Sequence, residues 1–158
     1  MTTIKSRPLL LRLLSNLSKL LQRKLFHYVA TYCNGTVLDI GGRDFFTRLK
    51  GKNVHYNKWI SLEYAKTAAF DRIQSDVIDD KHEIVYGDGC NLHFYDSSFD
   101  TVLSIQVLEH VFEPIKMFSE IARVLKPQGH AIILVPQTMD LHMAPHHFQN
   151  FTRYWLIE

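Results

Sequence analysis

Three stretches of this chain, "TVLDI" (36–40), "FDTVLSIQ" (99–106) and "HAIILVP" (130–136), read as compact strands built on apolar residues, the last of them apolar along nearly its whole length. A strand wet on one face alternates apolar with polar residues; an unbroken apolar run marks a strand covered on both faces. Two weaker stretches join them. "VHYNKWISLE" predicts a strand from Tyr56 to Leu62 ending at Glu63, and "EIVYGDG" a short one that stops on glycines. Between them lie helical signals. A short helix is expected from Arg43 to Lys50. "EPIKMFSEIARVLKPQG" predicts a longer one, with Ile115, Phe118, Ile121, Ala122 and Leu125 on one face and Pro127 and Gly129 as its stop. "YAKTAAFDRIQSDVIDD" reads as loop with one helical turn. Buried strands alternating with helices specify a mostly parallel sheet in a doubly wound, Rossmann-like α/β fold, here with five strands.

The residues before the first strand form a different element. In "RPLLLRLLSNLSKLLQRKLFHYVATYC", Leu10, Leu13, Leu14, Leu17, Leu20, Leu21 and Leu25 keep the rhythm of one apolar helix face. Pro8 suits the first turn and Asn34-Gly35 the stop. No acidic residue precedes Asp39, so this leading amphipathic helix is basic. Such a helix suits a membrane surface through residues 8–31. Its direct run into "TVLDI", with no linker, instead favours a helix packed on the domain. The division is therefore residues 1–34 as helix and 35–158 as the α/β domain. No apolar run reaches the ~20 residues of a membrane span, and Cys33 and Cys90 have neither zinc spacing nor a disulfide pattern. A cytoplasmic location is expected. The net charge of +2 and the lack of a basic stripe within the domain give no reason to expect nucleic acid as a partner.

In doubly wound sheets ligands bind beyond the carboxyl ends of the strands. The residues there are Gly41-Gly42, Glu63, Gly87-Asp88-Gly89, Gln106 and Pro136-Gln137, a set of small, acidic and amide residues. A dinucleotide would require G-x-G-x-x-G, but "GGRDFF" (41–46) lacks the later glycines, and no GK[ST] of a phosphate loop follows. Glu63 stands 63 − 39 = 24 positions after Asp39, at the end of the second strand, where a carboxylate accepts both ribose hydroxyls. Asp88 suits the exocyclic amine of adenine. Two carboxylates without a pyrophosphate loop describe a nucleoside that carries no phosphate, and S-adenosylmethionine is such a ligand.

Four ordered blocks, "VLDIGG" (37–42), "ISLE" (60–63), "YGDGCNLHFYDSSFDTVLSIQVLEHV" (86–111) and "EIARVLKPQGHAIILVPQ" (120–137), with "NFTRYWL" (150–156) after them, resemble the class I S-adenosylmethionine-dependent methyltransferases of the methyltransferase type 11 group. The resemblance spans roughly residues 35 to 158. It implies that Asp39, Gly41 and Gly42 line the methionine end of the cofactor, that Glu63 takes the ribose, that Asp88 and the Gly89 backbone hold adenine, and that Gln106 passes beneath the sulfonium. Arg43 and Phe45 stand where the family's loop carries further glycines; the phenylalanines are expected to pack the following helix onto the sheet. The family fold closes with a sixth strand and an antiparallel seventh, neither of which fits before Glu158. The resemblance thus implies a C-terminally truncated sheet with an uncovered edge open to self-association.

Transfer of an activated methyl group requires little beyond holding an acceptor against it. The expected acceptor is a small molecule or a sugar-like intermediate; a non-catalytic cofactor-binding or scaffold protein is the alternative. For an acceptor that must lose a proton, His110 is the candidate base. "DLHMAPHHF" (140–148) is expected to face the substrate through His146 and His147. His142, His146 and His147 with Asp140 also invite a metal, but Pro145 interrupts any helix that would bring them together, and no metal is expected.

Overall fold

A computed structural model describes residues 9–49, 51–64 and 75–157. The chain runs α1 (Leu9–Tyr32), β1 (Thr36–Ile40), α2 (Arg43–Arg48), β2 (Lys58–Glu63), β3 (Ser75–Val77), β4 (His82–Tyr86), β5 (Phe99–Ile105), a 3-10 turn (Leu108–His110), α3 (Pro114–Val124) and β6 (Leu125–Leu134). One sheet has the order β3-β4-β2-β1-β5-β6. All neighbours pair in parallel except β3 with β4. The five expected parallel strands are therefore present, and the chain order reverses direction between β1 and β5.

Strand alternation sorts β1 side chains onto two faces. Leu38 and Ile40 join Ile60, Leu62, Val102 and the α3 residues Met117, Ile121 and Val124 in one core layer. Val37 points the other way, into a layer with Val29 and Cys33 at the end of α1, Phe45 and Leu49 at α2, and Trp59 and Leu103. Trp59 is fully buried there, with Phe46 and Tyr56 against its ring at centroid distances of 5.3 and 5.4 Å. Removing a side chain of that size from a core costs about 3–5 kcal/mol. Phe45 stacks on Phe26 of α1 at 6.0 Å, so "RDFF" does pin α2 between the sheet and the leading helix.

Four expectations are corrected. β3 occupies residues expected to be loop; it is three residues long and antiparallel, too short for alternation to reveal. The rest of that stretch, residues 65–74, lies outside the described residues. The buried stripe of α3 is Pro114, Met117, Ile121 and Val124, whereas Ile115 is 66% exposed and Ala122 is also exposed. The apolar arc of this helix is wide, and the sheet selects the edge that carries Met117. α3 also stops at Val124 rather than at Pro127, because a proline disfavours helical backbone in the residue before it. Leu125 enters β6 directly, and an irregularity between Phe99 and Thr101 absorbs the "KPQG" residues, with Gln128 at φ 67°. Finally, β6 is the sheet's outer strand on this side among the described residues and is half-exposed, not covered on both faces. No described helix is long and apolar enough to cross a membrane.

Candidate functional site

The carboxyl ends of β4, β2, β1 and β5 lie side by side. Parallel register sets Ile40 beside Leu62 and Glu63 beside Tyr86, and the chain is tied just past each strand by Gly41 N–H to the Leu62 carbonyl (2.7 Å) and Gly87 N–H to the Glu63 carbonyl (2.9 Å). Asp88, Glu63, Gly41-Gly42 and Gln106 consequently form a row along one edge, in strand order. With strands about 4.8 Å apart, the row spans three spacings, about 14 Å.

Asp39 lies under this row. It shares the α2 face with Val37, is fully buried, and neither of its oxygens has a hydrogen-bond partner among the described residues. Burial, reinforced by the charge of Glu63, pushes its carboxyl up to about 8; the Trp59 indole faces it and offsets part of the rise without closing a hydrogen bond. Gly42 is packed against that carboxylate so closely that a Cβ would fall on it. Gly41 has φ 67°, and a Cβ there would meet Val107 Cγ2 at 2.7 Å. Both glycines of "GG" are thus required, one for space and the other for space and backbone conformation.

Asp88 is exposed, and its Oδ1 accepts the Cys90 N–H at 2.8 Å, which shapes the Gly87–Asn91 turn. Gly89 sits over Met117 Sδ and Ile40 Cγ2, at 3.3 and 3.4 Å from where a Cβ would stand. Beside the turn a cleft of about 230 Å³ is lined by Leu62, Tyr86, Gly87, Asp88, Leu92 and Phe94 among others. A larger cavity, about 520 Å³, opens at the opposite, amino end of the strands, lined by Asn34, His55, Tyr56 and Lys81; it contains none of the expected residues. Gln106 is exposed with φ 57°, an uncommon conformation for a side chain-bearing residue, and its N–H is held by the Leu134 carbonyl at 2.8 Å. Cys90 is buried, and its thiol is pushed up to about 11 by that burial, in keeping with a packing residue.

A second group gathers where the loops after β5 and β6 meet. His110 Nδ1 lies 2.7 Å from the His146 carbonyl, and His110 Nε2 lies 3.2 Å from His142 Nε2. His147 Nδ1 accepts the His142 N–H at 3.3 Å, and the Phe148 N–H ties the loop to the Glu109 carbonyl at 2.8 Å. Glu109 is fully buried, and both its carboxylate oxygens lack a partner among the described residues. Of the residues expected to face substrate, His147 joins this cluster by its ring, while His146 reaches His110 through its backbone carbonyl. The sequence placed Glu109-His110 and the "DLHMAPHHF" run at one ligand edge but not in contact; the loops bring His142 to His110 across 32 positions of chain.

The methyltransferase domain family matches residues 38–133, more than half of the chain. The chain belongs to this family, whose cofactor is S-adenosylmethionine. Among curated relatives, methyltransferase GfsG of Streptomyces halstedii is 34% identical over 95 residues, covering 58% of this chain and 32% of that protein. The [4+2]-cyclase SpnF shares the fold with a TM-score of 0.60 at 20% identity, over 84% of this chain and 53% of its own. Phosphoethanolamine N-methyltransferase 2 of Haemonchus contortus, solved with S-adenosylhomocysteine, gives a TM-score of 0.58 at 20% identity, over 79% of this chain and 32% of its own. The chain therefore spans a third to a half of the length of these proteins.

Proposed function

We propose that the chain holds S-adenosylmethionine along the row Asp88–Glu63–Gly41/Gly42–Gln106 and directs its methyl group to a small-molecule acceptor. The supporting observation is the order of the row: an amine acceptor, a diol acceptor, two tightly fitted glycines and a strained amide residue on four adjacent strands. That sequence of chemistries matches adenine, ribose, methionine chain and sulfonium over about three strand spacings. The paired glycines over the buried Asp39 leave the backbone open to close approach by the methionine end of the cofactor. Dinucleotides fit poorly, because the loop has no further glycine to admit a pyrophosphate.

The cofactor supplies a methyl group already activated for displacement. The protein's part is to hold the acceptor in line and to exclude water, and positioning of that kind yields much of the rate. The loop carrying His146 and His147, with Leu141 and Met143 exposed on it, is the wall against which the acceptor is held. An acceptor hydroxyl would give its proton to His110, or to the His142 that His110 faces.

Calorimetric titration of the purified chain with S-adenosylmethionine, S-adenosylhomocysteine and NADH tests the binding half. The expected result is heat with the first two alone. Binding of NADH in their place would overturn the assignment. Cofactor binding without turnover across alcohol, amine and sugar acceptors would remove the transfer half and favour a binding or scaffold role.

A further inference from the structure

We propose that Glu109, His110 and His142 form a binding site for one divalent transition metal ion, of the zinc type. Their candidate ligand atoms, one carboxylate oxygen and two imidazole nitrogens, all lie within 4.8 Å of one another.

A carbonyl oxygen can only accept, so His110 Nδ1, 2.7 Å from the His146 carbonyl, bears a proton. His142 Nδ1, 3.1 Å from the Asp140 carbonyl, bears one as well, and the same proton faces His147 Nδ1 at 3.0 Å. His147 Nδ1 already accepts the His142 N–H, which agrees with its being the unprotonated partner. With both Nδ1 atoms protonated, the Nε2 atoms of His110 and His142 present lone pairs to each other across 3.2 Å. Two lone pairs at that distance repel unless a cation lies between them. The rings meet edge to face at 88°, with centroids 4.8 Å apart, an approach that ring attraction permits but that does not offset the facing lone pairs.

An ion at this point would find its other requirements met. Two ligands about 2.05 Å from a tetrahedral zinc stand about 3.3–3.4 Å apart, close to the observed Nε2 separation. A ligating histidine is normally oriented by a carbonyl on its other nitrogen, as both of these are. The buried Glu109 carboxylate, with no donor on either oxygen among the described residues, supplies the compensating negative charge. Mixed imidazole and carboxylate donors suit zinc and its neighbours rather than calcium or magnesium. Three protein ligands leave a fourth position open. On the methyl-transfer reading, an acceptor hydroxyl in that position would ionise more readily, the ion then replacing His110 and His142 as the group that activates it; the site itself does not depend on that reading.

The competing occupant is a proton shared by the two Nε2 atoms. The test uses the whole chain, stripped with a chelator and titrated with cobalt(II), then with zinc(II). Expected are one ion per chain, a cobalt d–d band of low-coordinate type, and zinc-induced shifts of the His110 and His142 Nε2 resonances in long-range proton–nitrogen spectra, with Nδ1 still protonated. That spectrum requires no variant. His142→Ala and Glu109→Gln should weaken binding by more than the roughly 10–100-fold that loss of an outer partner causes. His55→Ala, exposed elsewhere, should leave it unchanged. Absence of the band, its survival in His110→Ala/His142→Ala, or Nε2 signals of a shared proton unmoved by zinc would each overturn the proposal. S-adenosylmethionine affinity is measured in a separate titration, so the two readings fail independently.

Discussion

The two ends of the candidate site are built differently. On the β4–β2–β1 side, each expected contact stands at or just past the end of its own strand, and parallel ladders fix the spacing between contacts. On the β5–β6 side, the chemistry depends on two loops that meet across 32 positions of chain, held by the Phe148 to Glu109 backbone bond and by ring nitrogens. The first arrangement is set by backbone geometry and tolerates surface change. The second is set by side chains and fails as a unit. The difference also appears in the buried charges. Asp39 lies beneath glycines that leave it no room to move, whereas Glu109 faces a cluster of nitrogens within ligand distance.

The largest expected effect tests the buried end of the first arrangement. The folded protein holds a proton on Asp39 that the unfolded chain releases near the ordinary carboxyl value of 3.8, since the folded value is raised to about 8. Between those two values the folded state binds more protons, so this group's contribution to stability falls as pH rises. At about 1.4 kcal/mol per pKa unit the loss by pH 7 is on the order of 4 kcal/mol. Asp39→Asn carries no such titration. Its unfolding free energy relative to the parent should therefore climb steadily from pH 4 to pH 8, by denaturant titration at each pH. A constant difference would mean that Asp39 ionises freely and is not sealed under Gly42.

How much of this was legible beforehand follows the same division. "VLDIGG" was readable because strand, turn and glycine lie in one continuous run, and Glu63 and Asp88 because each ends an apolar strand. The exposed half of β6 was not. "AIILV" has the composition of a central strand, yet its burial depends on which strands flank it. The α3 stripe was legible only in part. Ile121 is in the core and Phe118 and Leu125 pack beside it, but Ile115 and Ala122 are exposed, because a wide apolar arc leaves several faces open and only the sheet beneath selects Met117. Asp39 was read as lining the cofactor, but no pattern in the sequence shows both of its oxygens unpartnered. The histidine cluster was visible only as two runs at one edge, with no contact between them, because Pro145 argues against a local site and says nothing about His110.

Gly42→Ala tests the same seal sterically and should come next in size. Its backbone φ of −100° suits any residue, so the whole cost is the Cβ pressed onto Asp39. Overpacking of this kind costs about 1–3 kcal/mol, and cofactor affinity should fall with it. The double variant Gly42→Ala/Asp39→Ala should recover part of the lost stability, because the two changes share one space. Strict additivity would show that Gly42 is needed for backbone reasons alone. Glu63→Ala follows. It should lower S-adenosylmethionine affinity by about 1–3 kcal/mol, the cost of leaving two hydroxyls without an acceptor. An analogue lacking one ribose hydroxyl should lose correspondingly less between parent and variant; equal losses would remove Glu63 from the ribose.

Asp88 gives the smallest effect and the sharpest test of strand-end readout, because one of its oxygens already has a structural task. Oδ1 accepts the Cys90 N–H at 2.8 Å, so Asp88→Ala would loosen the turn as well as remove a ligand contact. The turn's share is about 0.5–1.5 kcal/mol, the net worth of one hydrogen bond. Asp88→Asn separates the two. Its carbonyl oxygen keeps the turn, so thermal stability without ligand should stay at the parent's value. Its amide then presents a donor where the carboxylate presented an acceptor, and a donor opposes the exocyclic amine of adenine. S-adenosylmethionine affinity should drop by about 1 kcal/mol, roughly fivefold. An analogue with a carbonyl in place of that amine should show the reverse order, binding the Asn variant more tightly than the parent. If both proteins rank the two ligands alike, Asp88 serves its turn only, and adenine is held by backbone at this edge. The contrast between an edge read from single strand ends and one read from loop packing would then lose its outermost residue.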